Sequence, residues 1–79
     1  MKFEVGKIYY SCQEIFEVTE IEKDKVKCEV FDTYFRTFYK NNDPFTSFWK
    51  NSQLAEEARE ATPEEIKLLN EVRKREAVN

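Results

Sequence analysis

The side chains best placed to do chemistry in this chain are rings. The segment FDTYFRTFYKNNDPFTSFW, Phe31 to Trp49, holds eight of the twelve aromatic residues. Within and beside it, Tyr34, Arg36, Phe38, Lys40 and Trp49 combine π-faces with cations. That combination has two uses. Bases of a single-stranded nucleic acid stack on rings that line a positive groove. Protein interfaces favour Tyr, Trp, Phe and Arg at their buried centres and disfavour Lys, Glu and Asp. From Phe31 to Lys50, three cations (Arg36, Lys40, Lys50) face two aspartates (Asp32, Asp43), a balance of only +1, and the whole chain carries −3. The electrostatic footprint that phosphate binding needs is therefore weak. The composition points first to a protein partner bound through Tyr34, Arg36, Phe38, Lys40 and Trp49. Nucleic acid bound through the same strand face comes second. Self-association through an exposed edge strand, as a homodimer, comes third.

Catalysis finds little support. The chain has no His, so the usual general base near neutral pH is missing and Ser-His-Asp and Cys-His arrangements are excluded. A single Gly rules out a glycine-rich phosphate loop. Two cysteines without a histidine cannot fill a four-ligand zinc site. Cys12 and Cys28 read as free thiols packed like small hydrophobes, and a disulfide would need neighbouring strands to bring them together. The carboxylates of EIEKD and EEAREATPEE fall at a turn and on a helix face, not in a cleft. No enzymatic activity, cofactor or metal is expected.

The elements that must position the rings follow from periodicity. Residues 3–12 alternate in two halves, and Gly6 sits where the phase changes, as at a bend or bulge. Phe16 and Val18 share a face while Ile21 falls on the other, which places a twist or a second bulge near Thr19. Lys23, Asp24 and Lys25 form a turn. Val26, Cys28 and Val30 then alternate with Lys27 and Glu29, the cleanest strand pattern in the chain. Residues 33–39 read as a fourth strand, with Thr33, Phe35 and Thr37 on one face and Tyr34, Arg36 and Phe38 on the other. On this register Phe35, with some of Phe45, Phe48 and Trp49, belongs to the core. Lys40 to Pro44 is a loop, and FTSFWK a short fifth strand.

Past residue 51 the pattern turns helical. Ser52 precedes a short helix over 52–61, with Leu54, Ala58 and Ala61 on one stripe. Thr62, Pro63 and Glu65 form a capping box that opens a second helix over 63–77. Leu68, Leu69 and Val72 lie on one side of it, with Ile66 at the edge. Strands followed by helices make an α+β protein of one domain. A small bent antiparallel sheet or SH3-like barrel of four to five strands, followed by two C-terminal helices, is the first expectation. An open sheet with helices packed on one face is the second.

No apolar run approaches the roughly 18 residues of a membrane span, and MKFEVGKIYY has no apolar secretory core. A cytoplasmic location is expected, without membrane contact. FEVGKIYY, followed by IFEVTEI and DKV, resembles the start of many small proteins encoded by phages and prophages. LAEEAREATPEEIKLL resembles their helical tails. The resemblance implies a small β-sheet or SH3-like domain that binds without turnover. It also implies a role as an inhibitor of host machinery, such as a CRISPR effector, another defence system or a transcription enzyme. It carries no catalytic motif, so it assigns no site residues.

Overall fold

The computed structural model describes residues 1–40, 43 and 45–78. Among these residues six strands and two helices follow in the order β1 (Ile8–Ser11), β2 (Glu14–Ile21), β3 (Lys25–Asp32), β4 (Thr37–Tyr39), β5 (Ser47–Trp49), α1 (Gln53–Glu56), β6 (Arg59–Glu60) and α2 (Pro63–Val78). All pairings are antiparallel, and the sheet runs β4-β3-β2-β1-β6. The sheet is open, so the protein is α+β with one covering C-terminal helix.

The local devices follow from the residues. Gly6 takes a φ of 88°, which suits a residue without a Cβ, and its N–H donates to Val18 O at 2.8 Å. The register between β2 and β3 shifts between Val18 and Glu20, so the bulge at Thr19 turns Ile21 out of phase with Val18. The turn after β2 is closed by the Glu22 N–H donating to Lys25 O at 2.8 Å.

Each face of the sheet has its own core. On one, Tyr9, Phe16, Val18, Val26, Cys28, Val30 and Phe48 are buried with Ala55, and Phe3, Tyr39, Leu54 and Ala58 close over them. Phe3 meets Tyr9 and Phe48 edge-on, with centroids 4.9 and 5.3 Å apart. On the other face Ile15 and Phe31, paired across β2 and β3, lie under Leu69 and Val72 of α2. Burying rings on both faces gives a short chain its stabilising apolar area.

A charged clamp joins α2 to the sheet. Glu17 and Glu29 are opposite one another in the β2–β3 register, a like-charge pair that destabilises a sheet by itself. Arg73 bridges them, its Nη1 lying 2.9 Å from Glu17 Oε1 and 3.2 Å from Glu29 Oε1.

Two expectations are corrected. The strand over 33–39 is only Thr37–Tyr39, because residues 33–36 form a turn. Phe35 is therefore not core: it is 70% exposed, as are Phe45 at 69% and Trp49 at 56%, and only Phe48 of that group is buried. The helix over 52–61 is a single turn, Gln53–Glu56, capped by Ser52 Oγ accepting from the Ala55 N–H. So short a helix has little cooperativity, whereas the free edge of β1 offers backbone partners. Arg59 and Glu60 take them, pairing with Tyr10 and Tyr9, and Arg59 lies over the Tyr10 ring at 4.4 Å. The loop expected from Lys40 to Pro44 falls largely outside the described residues.

The capping box is present as expected. The Thr62 N–H donates to Glu65 Oε1 at 2.8 Å and the Glu65 N–H to Thr62 Oγ1 at 3.2 Å. Glu65 also receives both Arg59 guanidinium nitrogens, at 2.9 and 2.8 Å. That fork holds its carboxyl below the usual range and fastens β6 to the start of α2.

Candidate functional site

β2 occupies one side of β3. The other side is shared by β4, opposite Val30 to Asp32, and β5, opposite Lys25 to Lys27. The Cys28 N–H donates to Thr46 O at 2.8 Å between them. Together β4 and β5 form one interrupted edge strand, and the exposed rings are strung along it and its loops.

At one end stands the β3–β4 turn. Asp32 Oδ1 accepts from the Tyr34 N–H at 2.9 Å and the Phe35 N–H at 3.0 Å, the side-chain device by which Asp replaces strand with turn. Thr33 ties the turn to its neighbour through its N–H and hydroxyl, which both donate to Gln13 O, at 2.9 and 2.8 Å. The turn is thus held from below while Tyr34 and Phe35, each 70% exposed, project from it and pack edge-on at 4.8 Å. Midway along the edge, Phe45 leans on Tyr39 with centroids 5.6 Å apart. At the far end Trp49 lies beneath the Lys25 ammonium at 5.0 Å.

The five expected partner-binding residues do not share a face. Tyr34 and Arg36 are on the turn, exposed, and Arg36 takes a φ of 55°. Phe38 is half-buried and packs toward α2. Lys40 is exposed just past β4, and Trp49 is at the opposite end of the edge. Arg36 and Phe38 do come together, in a cleft of about 350 Å³ with Phe31, Leu68, Val72, Arg75 and Glu76.

The titratable groups describe a structural interior. Glu14 and Asp32 are opposed across β2 and β3. Burial, reinforced by the Asp32 charge, pushes the Glu14 carboxyl up to about 7. Burial pushes the Cys28 thiol up to about 12, with Glu14 adding to it, so Cys28 is held as a thiol, a poor nucleophile. Cys28 is buried and Cys12 exposed, and both are free. Among the described residues no three His, Cys, Asp or Glu side chains are grouped to hold a metal ion, and no helix is long and apolar enough to cross a membrane.

No family model, curated protein or solved structure matches this chain.

Sequence reasoning overlooked Phe35 and Phe45 as surface rings and Leu68 as a cleft residue. The signal for Phe35 was present in Asp32, a turn former at the end of an alternating run. It was masked by Thr33 to Tyr39, whose β-branched and aromatic composition imitates a strand.

Proposed function

We propose that this protein is a non-enzymatic protein-binding module that engages its partner along the β4–β5 edge, with Tyr34 and Phe35 as the leading anchors. The observation that carries the reading is the exposure of four large rings, Tyr34, Phe35, Phe45 and Trp49, on one side of a sheet whose two faces are already covered. Exposed apolar surface of this kind along one edge marks an interaction site, and rigid aromatic side chains supply most of the binding energy at interface centres. The short edge strands add unpaired backbone groups to which a partner strand can pair. With the resemblance to small phage proteins, a host or defence protein, such as a CRISPR effector, is the class of target to test first.

Nucleic acid is the second reading, favoured by Arg36, Lys40 and Lys50 lying along the same edge. Titration of single-stranded DNA and RNA at low and moderate salt separates the two. The protein-binding reading expects no steeply salt-dependent binding. Oligonucleotide binding abolished by Arg36→Glu would replace it.

The direct test is affinity capture from bacterial lysate with the parent chain and with Tyr34→Ala/Phe35→Ala. Both side chains are exposed, so the variant is expected to fold as the parent does. A protein retained by the parent and lost by the variant supports the reading. Retention of the same proteins by both would remove the turn from the interface.

A further inference from the structure

The cleft between the β3–β4 turn and α2 is a different feature from the exposed rings. We infer that it binds an apolar carboxylate, meaning one ring or branched side chain carried next to a carboxyl group. Its reachable apolar surface comes from Leu68, 36% exposed, and half-buried Phe38, while Phe31 and Val72 are almost wholly buried. Its rim is charged, with Arg36 on the turn and Arg75 and Glu76 on α2. A volume of about 350 Å³ is at the small end of ligand sites, enough for one apolar group and its charged tip.

Arg36 gives the site its chemistry. Its side chain makes no hydrogen bond or ion pair among the described residues, whereas Arg59 and Arg73 are both forked onto carboxylates. Arg75 has an interaction of its own, so the assignment rests on Arg36. The backbone there has a φ of 55°, a left-handed conformation that Gly or Asn adopts more readily. Turn geometry therefore does not explain an arginine at this position, which lines the cleft. A guanidinium matches a carboxylate with two parallel N–H donors. Among the described residues the rim carries Arg36, Arg75 and Glu76, a local balance of +1 in a chain of net −3. That suits one carboxylate better than a phosphate dianion.

The same chemistry occurs in a free small acid and in the last residue of a polypeptide, and the experiment separates them. The full chain, labelled with nitrogen-15, is titrated with 3-phenylpropionate, with 3-phenylpropanamide, and with Gly-Gly-Phe as free acid and as C-terminal amide. The acids should shift the amide resonances of Phe31, Phe38, Leu68 and Val72, and bind at least about tenfold more tightly than the amides, the scale of a charge-assisted pair. Arg36→Gly keeps the turn, should raise the melting temperature, and should weaken the acids to the level of the amides. Tighter binding of the peptide acid than of phenylpropionate assigns the site to a polypeptide terminus, and the reverse assigns it to a small acid. Equal binding of acids and amides, binding unchanged in Arg36→Gly, or shifts elsewhere would overturn the inference. Tyr34→Ala/Phe35→Ala removes no residue that lines the cleft, so this inference and the partner-binding reading fail independently.

Discussion

Cys12 and Gln13 close the β1–β2 hairpin with φ of 49° and 66°, between Ser11 and Glu14, which are paired. Two consecutive left-handed residues are the geometry that Asn-Gly satisfies at least strain. Nothing in Cys-Gln announces a turn, so this hairpin was not legible in the sequence. Replacing the pair by Asn-Gly should raise unfolding stability by about 1 kcal/mol, from relief of left-handed strain at two positions, measured by urea titration. Glu14, the next residue, sets a pH dependence. Its carboxyl is raised from 4.5 to about 7, so the folded chain keeps a proton that the unfolded chain releases. Stability is therefore fullest below the unfolded value, falls as pH rises through that interval, and levels off above about 7. Glu14→Gln should flatten this slope and stabilise the protein at pH 8 by about 1 kcal/mol, the shift being discounted for a half-exposed pair. Urea titrations at pH 5, 6, 7 and 8 check both statements.

At the scale of elements, local signals transferred and pairing signals did not. Thr62 to Glu65 needs only its own four residues to form a capping box, and it was legible in full. The β2 bulge was legible because the phase change between Val18 and Ile21 is local too. β6 was not, since Arg59 and Glu60 become a strand only where the β1 edge is waiting for them. The fourth strand was overextended because a turn that buries no side chain leaves the alternating composition intact. Nor did the sequence single out Arg73, which resembles any basic residue near a helix end until the Glu17–Glu29 register brings two carboxylates beneath it. Arg73→Met should cost about 2 kcal/mol, since it removes hydrogen bonds to charged acceptors and leaves the glutamates opposed. Adding Glu29→Gln should recover part of that loss. Thermal unfolding of the two single variants and the double variant tests the coupling, and strict additivity would contradict the clamp.

As a whole molecule, the protein covers both faces of its sheet and leaves the β4–β5 edge bearing rings. Phe3 and α1 close one face and α2 the other. The aromatic segment thus divides in a way its composition does not reveal. Phe31, Phe38, Tyr39 and Phe48 pack inward, while Tyr34, Phe35, Phe45 and Trp49 face out. Register decides that division, and one turn at Asp32 reverses the assignment of Phe35. On the proposed reading the outward rings carry binding. Its most direct measurement is calorimetric titration of the captured partner against the parent chain and against Tyr34→Ala/Phe35→Ala, with circular dichroism confirming equal folding. The double variant should lose at least about 2 kcal/mol, roughly thirtyfold in Kd, as two interface anchors would. An affinity within about twofold of the parent, below half a kcal/mol, would contradict it.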